Sequence, residues 1–416
     1  MKDGLITADI NHQTTTFDNA LEQIVREGAR KLLQQALENE VEELQSRFNA
    51  FKREGQKCIA VRNGYLPERE IQTGIGPLPV KQPRLRDKRG LCKFNSSILP
   101  RYVRRAPSID AVIPLLYLKG ISTGDMGEAL EALLGKQAQG LSPANIVRLK
   151  QVWESEFGDW NERDLSGKRY IYIWVDGIYF NVRLQEDRPC VLVIIGALAD
   201  GTKELIALHD GQRESKTSWM EALLDLKRRG LPYAPMLAIG DGALGFWAAL
   251  EEVFPSTRQQ RCWVHKTANV LDKMAKGVQG SAKKMIHEMY MAETKEKGEA
   301  VFEDFLRIYE AKFPKACECL RKDKEQLFTF YDFPAMHWQH IRTTNPIEST
   351  FATIRHRMRQ TKGCGSRIAT LTMVYKLVMS AKKNWRKLRG YELIEKVIRG
   401  VKFKNGEEVV AQEMVA

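Results

Sequence analysis

The stretch of sequence that decides the fold is a series of strand-like runs: RYIYIWVDG (169–177), IYFNVRL (178–184), CVLVIIGALAD (190–200) and ELIALHD (204–210). The runs are short, apolar and rich in β-branched or aromatic residues, and turn-forming residues lie between them. This pattern is typical of buried strands. Because the runs follow one another closely, we interpret them together as three meandering strands.

Helices and strands alternate after this meander. A helix is predicted over Ser215–Arg229, followed by the apolar strand MLAIGD (236–241), the helix ALGFWAALEEVF (243–254) and the strand QQRCWVH (259–265). Three strands, a helix, a strand, a helix and a strand form an α/β domain. This order of elements is that of the RNase H-like fold.

A long helical block follows His265. Apolar residues recur at helical spacing to about Tyr331, after which comes the segment NPIEST (345–350). A helical block ahead of this segment indicates an all-helical insertion within the α/β domain rather than a separate C-terminal domain.

The N-terminal part has a different pattern. Residues 17–53 are predicted to form a helix, which Thr16 or Asp18 would cap, and residues 62–90 suggest one or two strands and a loop. Residues 109–165 predict two helices, broken near Gly135–Gly140.

These two helices fit either a helix-turn-helix or an ordinary helical hairpin, and the stretch alone leaves both open. Ser142-Pro143 would begin the second helix, with proline at its first position. In a helix-turn-helix, this helix would carry Arg148 and Lys150 toward a groove of DNA.

The composition is that of an ordinary globular protein. Of the 416 residues, 43% are hydrophobic and 28% charged, and no apolar run approaches the roughly 18 residues of a membrane span. The first residues lack the pattern of a secretory signal, so we expect a cytoplasmic, nucleoid-associated protein. An odd number of scattered cysteines indicates reduced thiols. The seven are Cys58, Cys92, Cys190, Cys262, Cys317, Cys319 and Cys364.

Positive charge is concentrated near the C-terminus. Residues 342–404 contain sixteen Lys and Arg against three Asp and Glu, an excess equal to the net charge of +13 of the whole chain. Such a surface attracts polyanions through the release of counterions, which favours nucleic acid as a partner. The alternative is a solvated basic face without a partner.

Three carboxylates are candidates for a metal site. Asp176 and Asp241 each close an apolar run and precede a glycine, and Glu348 lies where Pro346 favours the first turn of a helix. Carboxylates are the ligands that Mg²⁺ prefers, and two such ions can act together in phosphoryl chemistry. A single strand-end Asp-Gly is more often a turn, and the residues alone leave the two interpretations balanced.

The helix after Glu348 adds a candidate DNA contact. Arg355 and Arg359 are predicted to share a helical face with Glu348, and the turn at Gly363–Gly365 allows close approach of the backbone. Three further cations would broaden the patch: Arg357, Lys362 and Arg367.

Cys262 and His265 form a C-x-x-H pair. A structural zinc site usually needs four ligands in closed spacing, and the one-residue separation of Cys317 and Cys319 does not suit such a site. A structural role near the active site is therefore preferred to zinc. No phosphate-binding G-x-x-x-x-G-K-[ST] loop is present in the sequence.

At these residues the sequence resembles the mutator-type transposases of bacterial insertion sequences. The resemblance covers nearly the whole chain, and its strongest elements are the two D-G motifs, the C-x-x-H and the N-x-x-E-S segment. The motifs that carry it are RNGY (62–65), PRLRD (83–87), LYLKGIST (116–123), LSPANIVRL (141–149), WVDGIYF (174–180), IGDGALGFW (239–247), QRCWVHKTANVLDKM (260–274) and RTTNPIESTFATIRHRMRQTKGC (342–364).

The resemblance implies an RNase H-like catalytic domain of the Asp-Asp-Glu type with an all-helical insertion, preceded by a mostly helical DNA-binding region. Asp176, Asp241 and Glu348 would be the catalytic triad that holds two Mg²⁺ or Mn²⁺ ions, with Asp176 bridging them. Cys262 and His265 match the signature C-x-x-H, with a structural or DNA-positioning role. The implied regions are 1–107, 108–166 (helix-turn-helix-like), 167–265 (first catalytic part), 266–340 (insertion) and 341–416 (second catalytic part).

The resulting hypothesis is a DNA transposase that binds terminal inverted repeats, cleaves DNA and transfers the strand to a target. It would act as a homodimer or larger assembly on double-stranded DNA, without a membrane partner. One alternative is a metal-dependent nuclease of the same fold, and another is a non-catalytic DNA-binding regulator derived from a transposase. A serine-type recombinase is disfavoured, because no serine has the setting of an activated nucleophile.

Overall fold

A computed structural model describes the chain in nine stretches, and its Cα positions divide into two compact units, Met1–Leu149 and Lys150–Ala416. The described residues are 10–50, 60–87, 94–122, 124–134, 143–180, 190–211, 213–242, 244–360 and 366–409. Within these stretches, no helix combines the length and the apolarity needed to cross a bilayer.

The first unit pairs one long helix with short strands. Helix α1 (Ile10–Ala50) begins before Thr16 and Asp18, so these residues lie inside the helix and not at its start as predicted. Buried Leu37 of α1 packs with apolar side chains of the strands.

Four strands occur where one or two were predicted, because glycines and prolines break residues 60–87 into pieces of five or six residues that pair as two small antiparallel sheets. These strands are β1 (Ala60–Tyr65), β2 (Arg69–Thr73), β3 (Gly76–Val80) and β4 (Pro83–Asp87).

Three helices follow where two were predicted: α2 (Pro107–Lys119), α3 (Met126–Leu134) and α4 (Pro143–Asn161). Helix α4 begins at Pro143, as the sequence predicted, because the fixed φ of proline suits the first turn of a helix. The connection at 135–142, which decides between a helix-turn-helix and a hairpin, lies outside the described residues.

The second unit is built on a mixed five-stranded sheet. Its strands are β5 (Tyr170–Tyr179), β6 (Cys190–Leu198), β7 (Lys203–Gly211), β8 (Leu237–Gly240) and β9 (Arg258–Arg261). The spatial order is β7-β6-β5-β8-β9, with β5, β6 and β7 antiparallel and β5, β8 and β9 parallel. Helices α5 (Lys216–Arg228) and α6 (Leu244–Val253) connect the later strands, so the predicted order of elements is confirmed.

The two faces of β5 pack against different helices, because successive side chains of a strand point to opposite sides. Ile173 and Val175 belong to a core that contains Trp219 of α5 and Phe246 of α6. On the other face, Trp174 Nε1 donates to the backbone oxygen of His340 at 2.8 Å. Asp176 follows Trp174 by two residues and therefore shares its face.

Helices occupy the region after β9, as predicted. They are α7 (Trp263–Leu271), α8 (Lys276–Met291), α9 (Lys295–Tyr309), α10 (Pro314–Arg321), α11 (Lys324–Leu327) and α12 (Trp338–Ile341). Buried Lys266 of α7 pairs with buried Asp323, which also lies 3.5 Å from Arg261 of β9. These charges join the helical region to the sheet.

The chain then returns to the sheet through α13 (Asn345–Gln360), which contacts β5 and β6, and α14 (Arg367–Lys382), which contacts β7. The last elements are α15 (Ile394–Ile398), β10 (Phe403–Lys404) and β11 (Glu407–Glu408).

Candidate active site

The two aspartates of the D-G motifs lie beside each other at one end of the parallel strands. The last pair between β5 and β8 is Trp174 with Ile239, and the same register continued by two residues aligns Asp176 with Asp241. Neighbouring strands are about 4.8 Å apart. Asp241 follows the last residue of β8, as predicted. Asp176 lies inside β5 instead of at its end, because β5 continues along β6 after its pairing with β8 has stopped.

Glu348 reaches this site from the first turn of α13, the position that the sequence predicted. The backbone N–H of Glu348 donates to the oxygen of Thr344 at 3.0 Å, which forms this first turn. One ligand atom each from Asp176, His265 and Glu348 lies within 4.8 Å of the others, in an arrangement that could hold a metal ion. The fold therefore brings together groups that are far apart in the sequence.

The C-x-x-H pair connects this cluster to the start of α13. Cys262 precedes α7 and His265 lies in its first turn. His265 Nε2 lies 2.9 Å from Glu348 Oε1. The backbone N–H and the hydroxyl of buried Thr344 each lie 3.3 Å from Cys262 Sγ and donate to it. Cys262 precedes the helical region and Thr344 follows it, so these contacts hold the two ends of that region together.

Hydrogen bonds and charges oppose the effect of burial on the pKa values of Cys262 and His265. Burial raises the pKa of Cys262, but hydrogen bonds from His265 and Thr344 outweigh burial, and the net pKa is lowered. The hydrogen bond with Cys262 raises the pKa of His265 to about 9, against the effect of burial, and the carboxylates of Asp176 and Glu348 contribute in the same direction. An imidazolium at His265 therefore faces the carboxylates of the site.

Burial and neighbouring negative charges together raise the pKa values of two carboxyl groups at the site. Burial raises the pKa of Asp176 to about 7, and the charges of Asp241 and Glu214 add to this effect. Burial likewise raises the pKa of Glu214 to about 6, with Asp241 contributing. Glu214 was missed at the sequence level, because it follows β7 in a loop without a motif.

The cationic residues predicted to bind DNA differ in their exposure to solvent. Arg355 and Arg359 on α13 are exposed, as is Arg148 on α4, whereas Lys150 is half-buried. Arg367 lies 3.6 Å from Asp210 in an ion pair.

The sequence predicted that Arg357 would broaden the exposed cationic patch, but its side chain is only 4% exposed. The helical period explains this, because Arg357 follows buried Ile354 and precedes buried Met358 on the inner side of α13. Lys362 and the turn at Gly363–Gly365 lie outside the described residues.

Comparison with known proteins supplies the family. The sequence model of a family described as "Transposase, Mutator family" matches residues 4–388. The chain belongs to the Mutator family of transposases. The two D-G motifs, the C-x-x-H and the N-x-x-E-S segment all lie inside the matched range.

Individual transposases support this assignment. The chain is 50% identical to the transposase for insertion sequence element IS6120 of Mycolicibacterium smegmatis over 295 residues, which cover 71% of this chain and 91% of the relative. It is also 50% identical to the transposase for insertion sequence element IST2 of Acidithiobacillus ferrooxidans over 288 residues, 68% of this chain and 95% of that one. The transposase for IS256 in transposon Tn4001 of Staphylococcus aureus is 29% identical over 303 residues, 71% of this chain and 74% of the relative.

Proposed function

We propose that this transposase binds the terminal inverted repeats of an insertion sequence, cleaves the DNA there and joins the freed end to a target. The catalytic triad would be Asp176, Asp241 and Glu348. The observation that carries the proposal is that Asp176 and Glu348 converge within 4.8 Å beside the position of Asp241. Two strands and a helix that are distant in sequence supply these carboxylates.

The topology of the sheet supports an RNase H-like catalytic domain. Three antiparallel strands are followed by two parallel ones, and the aspartates lie on the central strand and its parallel neighbour. Within this proposal the catalytic domain comprises 167–265 and 341–416, interrupted by an all-helical insertion at 266–340. Residues 1–107 and 108–166 would form the DNA-binding region.

The donor set suits divalent cations. Mg²⁺ and Mn²⁺ prefer carboxylate oxygens, and the charges of Asp241 and Glu214 that raise the pKa of Asp176 would be compensated by a cation. When bound, two such ions would polarise the attacking and the leaving oxygen of a phosphodiester.

The protein's own residues orient these ligands. The backbone N–H of Gly177 donates to Asp176 Oδ1 at 2.8 Å, which leaves the second oxygen of Asp176 available. His265 contacts one oxygen of Glu348, and Thr344 connects the start of α13 to Cys262. These contacts hold side chains from separate parts of the sequence in the positions that a single site needs.

The reaction would consist of two displacements at phosphorus. Water attacks a phosphodiester at the end of the element and releases a 3′-hydroxyl, leaving the phosphate on the other strand end. The 3′-hydroxyl then attacks a phosphodiester of the target and displaces another 3′-oxygen. The exposed cations Arg355 and Arg359 near Glu348 would contact the phosphate backbone. Because two element ends are joined in one event, we propose a homodimer or larger assembly on DNA.

The experiment that tests this function uses labelled element ends and a target duplex with Mg²⁺, and maps nicks and joined products. We expect Asp176→Asn, Asp241→Asn and Glu348→Gln each to abolish both products while end binding persists. Cleavage without joining of precut ends would indicate a nuclease. Binding of the ends with no metal-dependent product from the unaltered chain would indicate a regulator. Full activity of Asp241→Asn would refute the triad.

A further inference from the structure

A fourth acidic residue, Glu214, approaches the site from the side of the sheet opposite to Glu348. It lies in the short connection between β7 and α5. A methyl group at Gly177 would lie 2.5 Å from Glu214 Oε1 and 2.6 Å from its Cδ. The carboxyl group of Glu214 therefore occupies the space that a side chain would fill directly after Asp176.

Gly245, three residues after the second D-G motif, also makes room for this residue. A methyl group at Gly245 would lie 2.5 Å from the backbone oxygen of Glu214 and 2.7 Å from the backbone nitrogen of Lys216. Ser215 caps α5 by accepting a hydrogen bond from the backbone N–H of Ser218 at 3.2 Å, which fixes the same backbone segment. Gly177 of the first D-G motif and Gly245 after the second thus allow Glu214 to approach the site closely.

The partners of Glu214 differ from those of an ordinary surface carboxylate. Tyr179 forms a hydrogen bond with the carboxyl group of Glu214, and the positive charge of His265, which belongs to the site, also acts on Glu214. The charge of Asp241 contributes to the raised pKa of Glu214, and the charge of Glu214 contributes to the raised pKa of Asp176. In the described part of the chain, no lysine or arginine forms an ion pair with Glu214.

We propose that Glu214 is a fourth carboxylate of the cation site and helps to hold a divalent ion between the D-G aspartates. This inference rests on the proposed function, because it assumes that Asp176 and Asp241 bind a cation. Glu348 and Glu214 would then flank β5 from its two faces, at the point where its pairing with β8 has ended.

The test is calorimetric titration of the full chain with Mg²⁺, and separately with Mn²⁺, in the absence of DNA. Glu214→Gln removes the charge but keeps the shape of the side chain, and Gly177→Ala keeps the glutamate but displaces its carboxyl group. We expect the Kd for the cation to rise by about 10- to 100-fold in both variants. Glu221→Gln is the matched control, because Glu221 lies on α5 with its side chain 60% exposed, and its Kd should equal that of the unaltered chain.

The outcomes separate this inference from the function on which it rests. If Asp176→Asn loses cation binding but Glu214→Gln and Gly177→Ala retain it, Glu214 is not part of the site and the triad stands. If Asp176→Asn also binds the cation normally, the proposed function fails. Thermal unfolding without metal checks that each variant is folded, and a normal melting temperature together with a weakened Kd supports a ligand role over a structural one.

Discussion

At the scale of single residues, Asp176 combines burial with a hydrogen bond that needs only one of its oxygens. The Gly177 N–H donates to Oδ1, while burial raises the pKa of the carboxyl group to about 7. An asparagine would keep the acceptor and remove the charge. The same side chain that is proposed to bind the cation is therefore expected to destabilise the cation-free protein.

We predict that Asp176→Asn raises the free energy of unfolding by about 1–3 kcal/mol at pH 8 in EDTA. The folded-state pKa lies above the unfolded value, so the loss of stability caused by the Asp176 charge is complete above about pH 7, shrinks as the pH falls, and disappears only below about pH 4, where the aspartic acid is protonated in both states. Urea unfolding at pH 8 and pH 4.5 measures both effects. A variant less stable than the unaltered chain at pH 8 would contradict this account.

Cys262 acts on the site through Thr344. We predict that Cys262→Ala costs about 1–3 kcal/mol of stability, because the buried Thr344 N–H loses its acceptor. It should also lower the rate of end cleavage while leaving end binding unchanged, since the start of α13 and hence Glu348 would be less well held.

Cys317→Ala is the matched control for this prediction. Cys317 is equally buried, but it lies on α10. The measurement is the rate of end cleavage under single-turnover conditions. An equal loss of rate in the two variants would mean that general destabilisation, and not the position of Glu348, causes the effect.

At the scale of elements, the face of β5 that carries Asp176 depends on an uncharged histidine. Trp174 donates to the backbone oxygen of His340, and the backbone N–H of Arg389 donates to His340 Nε2 at 3.0 Å. Burial lowers the pKa of His340 to about 4, and the positive groups of Lys203, His337 and Arg389 lower it further. The His340 ring therefore takes up a proton at a lower pH in the folded state than in the unfolded state.

We predict that the free energy of unfolding falls as the pH drops from 6.5 toward 4, with His340 contributing about 1.4 kcal/mol per pH unit where only the unfolded state is protonated. His340→Gln retains an acceptor and should flatten this slope between pH 6.5 and 5. His287→Gln, at an exposed position on α8, should not. Denaturant unfolding across this range gives the slopes, and identical slopes for all three proteins would be evidence against a neutral buried His340.

At the scale of the whole molecule, the net charge of +13 is concentrated in residues 342–404. We predict that log K for binding of element ends falls linearly with log salt concentration, and that Arg355→Ala reduces the slope by about 0.9. Arg357→Ala makes the same chemical change on the same helix, but at a buried position. It should lower the melting temperature and leave the slope unchanged. A smaller slope in Arg357→Ala than in Arg355→Ala would reverse the assignment of the two side chains.

Much of the second unit could be predicted because its signals are local. The strand runs are continuous and apolar, α5 and α6 lie between them as expected, and Pro346 and Glu348 mark the first turn of α13. In the first unit the signals are weaker. Strands of five or six residues broken by proline and glycine carry little periodicity, so four strands were predicted as one or two.

The sequence by itself determined which side chains are available for chemistry: two aspartates after apolar runs, a glutamate at a helix start and an excess of cations beyond it. Only the tertiary structure decided which groups meet. It aligned Asp176 with Asp241 through the β5–β8 register, brought His265 to Glu348 and turned Arg357 inward. The physical reason is separation along the sequence. Backbone periodicity relates only residues that are a few positions apart, whereas these contacts depend on how elements distant in sequence pack around one sheet.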